Sequence, residues 1–437
     1  MNKRLEDNWL FDNTIGDEVL HEEFHFLRMK NGMTAMVYEM PDKSSVSAQI
    51  NVKFGSLMKT YAADGSIKKL PAGTAHFMEH KMFDTASGDN FDYFAELGAN
   101  ANAYTSHTKT AYLFSTTTEP LKSLKTLIKS VTEPYFTEET VNKEIPIIDE
   151  EINMYQDDPA WRMELELFKL LYKNIGLNED IAGTHEEIRK ITPKILYETY
   201  FDFYRPDNML LTVAGNIKTE DVIGILNENI HFDTRIQSRP VLLPVIREPD
   251  EVIGHFHEME MDVSEDMFCF GYKQKPLILC SKYRTEVLLD IILELICGES
   301  TELYQELYNS GLINEEFNFN YYYGNGYLCI YFEGESPDCR LVADKIKNRI
   351  ASLKTSGFDP ERFEEQRRTA FGSEICTLDN VSAVCSNMAE SYYKNCDLFA
   401  IIHSIASLGI DEAEELLRNM FDESNSAISI IKASKGK

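Results

Sequence analysis

Gly73-Thr74-Ala75-His76-Phe77-Met78-Glu79-His80-Lys81-Met82-Phe83 is the stretch on which the reading of this chain turns. Residues four apart share a helix face, so a helix here sets His76 and His80 one turn apart with Glu79 beside them. Two imidazoles at that spacing reach one metal ion, and their order is the inverted H-x-x-E-H. Zinc held by two neutral imidazoles and a carboxylate keeps a fourth position for water, whose pKa falls from about 15.7 to near 7. Glu79 is then placed to take the proton. Five letters with three fixed recur by chance, so the surroundings must supply a third ligand.

A second pentapeptide, His21-Glu22-Glu23-Phe24-His25, matches the forward H-E-x-x-H pattern. Its surroundings argue against it. Phe24, Leu27 and Met29, then Asn31-Gly32, then Met33, Ala35 and Val37 read as two strands around a hairpin turn. On a strand, residues 21 and 25 stand about 13 Å apart, too far for one zinc.

The third ligand is sought on a helix from about Thr137 to Tyr155, where Val141, Ile145, Ile148 and Ile152 form an apolar stripe. Glu144 and Glu151 lie together on the flank of that stripe, whereas Glu150 points away. Glu151 is therefore the better ligand, with Glu144 behind it. Pro146 removes a hydrogen bond and kinks the axis, which disturbs angles drawn on a straight helix. Glutamates on an amphipathic helix are also commonly just solvated.

Bulk properties exclude several classes. A net charge of −29 lacks the basic face that nucleic-acid binding needs. No stretch approaches the roughly 20 apolar residues of a membrane span, and the start of the chain lacks the apolar run of a signal peptide. All eight cysteines lie in the second half with no C-x-x-C pair, which fits reduced thiols in a cytoplasmic protein.

Along the chain, strands at 45–52, 100–107 and 110–115, helices, and a strand at 210–214 are followed by the Pro-rich stretch 231–252. The pattern then restarts with strands near 254–262 and 266–272, an apolar helix from Glu286 to Ile296, a tyrosine-rich hairpin around Gly324-Asn325-Gly326, and a last strand from Ser426 to Ile431. The expectation is an α+β protein formed by an internal duplication, each copy a mostly antiparallel sheet covered by helices. Residues 1–230 form the metal-binding domain, 231–252 a linker, and 253–437 a homologous domain with no H-x-x-E-H.

These residues together resemble the pitrilysin/insulinase family of zinc metallopeptidases, the inverzincins. The pieces that carry the resemblance are Gly73 to His80, Gly98-Ala99-Asn100-Ala101-Asn102-Ala103-Tyr104-Thr105, Glu144, and Glu151 within Glu150 to Tyr155. Asp158-Pro159, Gly183-Thr184 and Tyr204-x-Pro206-x-Asn208-Met209 continue it in order. The resemblance implies one zinc per chain, held by His76, His80 and Glu151, with Glu79 as general base and Glu144 as an accessory acidic residue. It also implies that Asn102, Ala103 and Tyr104 belong to an edge strand that pairs with a substrate peptide, inside a chamber enclosed by two homologous halves.

One departure bears on partners. Family members that work alone or as homodimers carry an Arg and a Tyr seven residues apart in the later half. Here Tyr308 and Asn314 fall near those positions, and no arginine occurs from Thr285 to Cys339. The resemblance thus implies a metal-bearing subunit whose homologous partner supplies Arg and Tyr in a heterodimer, with a homodimer as the other arrangement. Tyr321, Tyr322 and Tyr323 are candidate substitutes. The alternative to a zinc endopeptidase is a non-catalytic peptide-binding or scaffold subunit.

Overall fold

The computed structural model describes residues 9–86, 88–229, 240–275, 281–324 and 326–434. Cys280, Asn325 of the tyrosine-rich hairpin and 231–239 of the expected linker lie outside the described residues.

The first half opens with β1 (Trp9–Asp17), β2 (Glu22–Met29), β3 (Thr34–Glu39) and β4 (Val46–Val52). A hairpin, β5 (Thr60–Ala63) and β6 (Ser66–Lys69), precedes α1 (Thr74–Lys81) and the short pair β7 (Asp84–Thr85) and β8 (Gly88–Asp89). Next come α2 (Asn90–Glu96), β9 (Ala99–Thr105), β10 (Thr110–Thr116), α3 (Pro120–Thr132), α4 (Glu138–Asp157) and α5 (Pro159–Leu171). The half closes with α6 (His185–Ile188), α7 (Pro193–Phe203), β11 (Met209–Gly215) and α8 (Thr219–Asn229).

The second half runs through β12 (Phe256–Met261), β13 (Met267–Gln274), α9 (Lys282–Cys297), α10 (Glu302–Asn309), β14 (Asn318–Gly324) and β15 (Tyr327–Glu335). Then follow α11 (Cys339–Ser356), α12 (Pro360–Thr377), α13 (Val381–Tyr393), α14 (Leu398–Ala406), α15 (Ile410–Asn419) and β16 (Ser426–Ala433).

Two sheets carry the fold. The first has the order β1-β2-β3-β11-β4-β10-β9 and the second β12-β16-β13-β15-β14. In the first, β11 runs parallel to β3 and antiparallel to β4, and β10 pairs antiparallel with both β4 and β9. The second repeats this connectivity strand for strand, with β16 parallel to β12 and antiparallel to β13, and β15 antiparallel to β13 and β14. That repetition is the duplication read from the sequence, and the α+β class holds.

The compact units do not follow a single cut along the chain. Asn153–Glu179 belongs with the second unit, and Cys376–Phe399 belongs with the first. Thus α5 packs on β13 and β16, while α13 packs on β4 and β11, the corresponding strands of the other copy. In the second unit Glu164 accepts hydrogen bonds from Tyr322 and Tyr331 at 3.1 and 3.3 Å. There the chain also comes close to β13 at Gly271, where a Cβ would stand 2.8 Å from Leu167 Cδ2. In the first unit Cys385 donates to the Thr212 carbonyl at 3.3 Å and Ser386 to Gln49 Oε1 at 3.4 Å.

This exchange also decides the burial of β4. Alternating residues of β4 predict a half-buried strand, yet every residue from Val46 to Val52 is buried. The polar face of Ser47, Gln49 and Asn51 is covered by α13; Gln49 donates to Asn51 Oδ1 at 2.7 Å and Ser47 to the Phe114 carbonyl at 3.2 Å, while Asn51 Nδ2 is buried without a hydrogen-bond partner among the described residues.

Candidate metal centre

Two glycines seat α1. Gly73 at its N-cap has φ 85°, and a Cβ there would come within 2.3 Å of the Ala182 carbonyl oxygen. Gly183 has φ 83°, and its Cβ would meet the Ala72 oxygen at 2.6 Å. The two backbones cross where side chains are excluded, which explains the Gly-Thr pairs at 73–74 and 183–184. With α1 fixed, Phe77 and Met78 are wholly buried and the other side of the helix turns His76, Glu79 and His80 toward α4.

His76, His80 and Glu151 each offer one donor atom, all within 4.8 Å of one another, and among the described residues they are the one such group. His76 Nε2 lies 3.4 Å from Glu151 Oε1, and His80 Nε2 lies 3.3 Å from Glu151 Oε2. Ligands about 2.0–2.1 Å from a tetrahedral zinc stand about 3.3 Å apart, and each imidazole lies about that far from one of the two Glu151 carboxylate oxygens, so these residue types at this spacing suit that ion. Glu79 Oε2 is 3.9 Å from His76 Nε2, beside the donors and outside the set.

Pro146 does not spoil the convergence. It sits inside a helix that runs from Glu138 to Asp157. Both Pro146 and Asn142, whose carbonyl loses its helical partner, are exposed, so water can satisfy that carbonyl. Glu144 is buried, Glu151 partly so and Glu150 exposed, as the stripe predicts.

Glu144 does not join the donor set. Its Oε1 lies 2.9 Å from His80 Nδ1 and its Oε2 3.1 Å from Lys81 Nζ, and Lys81 also contacts Asp84. A carboxylate on the far nitrogen of a ligating histidine fixes ring orientation and leaves Nε2 free to bind. Burial works against charge on His80, but hydrogen bonds to Glu144 and Glu151 outweigh it and push the imidazole up to about 10. The site is therefore built for positive charge. Burial likewise raises Glu79, against the lowering pull of His76 and His80, which moves this carboxyl toward the range of a general base. His76 Nδ1 is buried without a hydrogen-bond partner among the described residues.

The other candidates sort by position. Asn102, Ala103 and Tyr104 lie on β9, the outer strand of its sheet, next to α1. Asn102 and Tyr104 are exposed, and Gln49 donates to the Tyr104 hydroxyl at 3.2 Å. His21 sits before β2 and His25 within it, outside any donor group found among the described residues. His185, in the first turn of α6, bonds Asp149 on α4 at 2.7 Å. Asn314 donates to Glu335 at 2.6 Å and Tyr308 stacks on Tyr304. Tyr322 is engaged by Glu164, and Tyr321 donates to the Glu286 carbonyl at 3.4 Å, so both serve the packing of the second unit. The sequence reading missed Lys81; its signal was a place four residues after Phe77, on the buried face of α1.

An inverted His-x-x-Glu-His helix and a glutamate about seventy residues on, set in the first of two copies of one α+β unit, define a class of two-copy protein with a candidate metal centre in one copy. Residues 35–185 match the family described as insulinase (peptidase family M16), and residues 190–370 match the peptidase M16 inactive domain. YmfH of Bacillus subtilis, described as an uncharacterized zinc protease, is 33% identical over 412 residues, 92% of this chain and 94% of its own. YmxG of the same organism, also described as a zinc protease, is 24% identical over 90% of this chain and 95% of its own. A solved M16-like peptidase from Alicyclobacillus acidocaldarius superposes with a TM-score of 0.88 at 27% identity, covering 97% of this chain and 99% of that one. The first half of the periplasmic protease PqqL from Escherichia coli shares the fold, with a TM-score of 0.73 at 18% identity, covering 94% of this chain and 92% of that one. The chain belongs to peptidase family M16, the insulinase family. No helix among the described residues is long and apolar enough to cross a membrane.

Proposed function

We propose that the chain is a zinc-dependent endopeptidase that binds one zinc through His76, His80 and Glu151 and hydrolyses peptides or flexible segments. The observation that carries this reading is the pair of donor separations, 3.4 and 3.3 Å, with Glu79 beside them. Zinc bound there supplies Lewis acidity toward water and toward a peptide carbonyl. Glu79 takes a proton from the attacking water and returns it to the leaving amine, a role its buried carboxyl suits. Glu144 acts through His80 and not on substrate. The outer edge of β9, with Asn102, Ala103 and Tyr104, accepts an extended peptide as an added strand, which selects for conformation more than for sequence.

The missing Arg and Tyr support a two-chain chamber in which a homologous partner completes the substrate site; a second copy of this chain would bring only Asn314 and Tyr308. The seven described cysteines, all free thiols, support a reducing, cytoplasmic setting.

The test is metal analysis together with cleavage of a mixed peptide pool, with and without a homologous chain that has the Arg and Tyr. One zinc per chain and cleavage stimulated by the partner are expected. Glu79→Gln should retain zinc and lose about 10²–10⁴ in rate. Zinc retained with no cleavage under any of these conditions would favour the peptide-binding subunit instead.

A further inference from the structure

Lys81 is the last residue of α1 and is only 2% exposed, an unusual place for an ammonium group. A buried charge persists only where partners replace water, and Lys81 has two, Asp84 on β7 and Glu144 on α4. Glu144 divides its oxygens: Oε2 accepts from Lys81 at 3.1 Å, and Oε1 faces His80 Nδ1 at 2.9 Å. On the far side of the same ring, Nε2 faces Glu151 at 3.3 Å. The four side chains thus form a line, Asp84 to Lys81 to Glu144 to His80, that ends at a donor atom of the metal centre. For Nε2 to offer its lone pair, the ring hydrogen must sit on Nδ1 and be accepted there. The acceptor is the oxygen that Lys81 holds in place through its neighbour.

We propose that Lys81 is a positioning residue of the metal centre: anchored by Asp84, it holds the Glu144 carboxylate in the one orientation that aims His80 Nε2 at the ion. The assignment rests on the zinc reading given above. His76 has no such support, since its Nδ1 is buried without a partner among the described residues. The two histidines are therefore unequal, and His80 is the one whose aim depends on its surroundings.

The test is the zinc dissociation constant of the full chain, measured by competition with a chromophoric chelator, for wild type, Lys81→Met, Asp84→Asn, Glu144→Gln and the double variant Lys81→Met/Glu144→Gln. Losses of outer partners commonly weaken metal binding by about 10–100-fold. That range is expected for Lys81→Met, with a smaller loss for Asp84→Asn. The double variant should bind no more weakly than Glu144→Gln alone, because both changes cut one line. Lys81→Met that binds zinc as tightly as wild type overturns the proposal, as do losses that multiply in the double variant. Should Lys81→Met fail to fold, Asp84→Asn decides: unchanged zinc affinity overturns, a measurable loss supports. Wild type that binds no zinc removes the metal centre itself, a result distinct from either.

Discussion

The two units share one strand connectivity and differ in the helix that follows a pair of corresponding strands, β4 in one and β13 in the other. In the first unit that helix is α1, which carries His76, Glu79, His80 and Lys81. In the second it is α9, twice as long, which buries Leu288, Leu289, Ile291, Ile292, Leu293, Leu295 and Ile296. Polar groups out of water must be paired to be tolerated, whereas aliphatic side chains stabilise by burial alone. One copy has kept the polar helix with the partners that make it bearable, and the other has filled the corresponding place with hydrocarbon. Chemistry and packing have been divided between two versions of one scaffold.

That contrast can be broken or sharpened by substitution. The largest effect is expected at Glu79 in the first unit, where the glutamine variant keeps zinc and loses turnover. Next comes Ile292→Ala in the second unit: Ile292 is 0% exposed within a continuous apolar core. The cavity should cost about 2–5 kcal/mol, read as a lower unfolding midpoint in denaturant, with zinc stoichiometry unchanged. If the same variant stripped zinc, the division of labour would be wrong.

A smaller effect is expected at Glu333 on β15. Burial first, and then the charge of Glu164, pushes its carboxyl up to about 7 from an ordinary 4.5. The folded chain therefore holds a proton through a range in which the unfolded chain has lost it. The relative stability this gives is full below about pH 4.5 and is lost as pH rises through about 7. Glu333→Gln should accordingly raise the thermal midpoint relative to wild type at pH 8, with the difference shrinking to nothing near pH 4.5. An equal shift at both pH values would show that ionisation is not the cause. The smallest effect is expected at the forward pentapeptide, where His21→Ala should leave zinc content unaltered.

Much of this was legible in the residues. The hairpin at Asn31-Gly32 and the flank of α4 that carries Glu144 and Glu151 are set by local chemistry, and local patterns reveal them. What escaped depends on distance along the chain. No pattern within residues 46–52 announces that a helix beginning at Val381 will cover their polar face, nor that α5 will leave the copy in which it was encoded to cover β13 and β16. Lys81 escaped for a related reason. A lysine after H-x-x-E-H reads as a solvated charge until Asp84 and Glu144 are seen to close around it.

The central claim is that two imidazoles from one helix turn and one carboxylate from α4 hold a zinc ion. X-ray absorption at the zinc edge of the purified chain tests it most directly, recorded for wild type and Glu151→Ala. The account predicts a light-atom shell of nitrogen and oxygen at about 2.0–2.1 Å with two imidazole signatures, and loss or rearrangement of that shell in the variant. Sulfur scattering at about 2.3 Å, or a shell identical in both proteins, would contradict it.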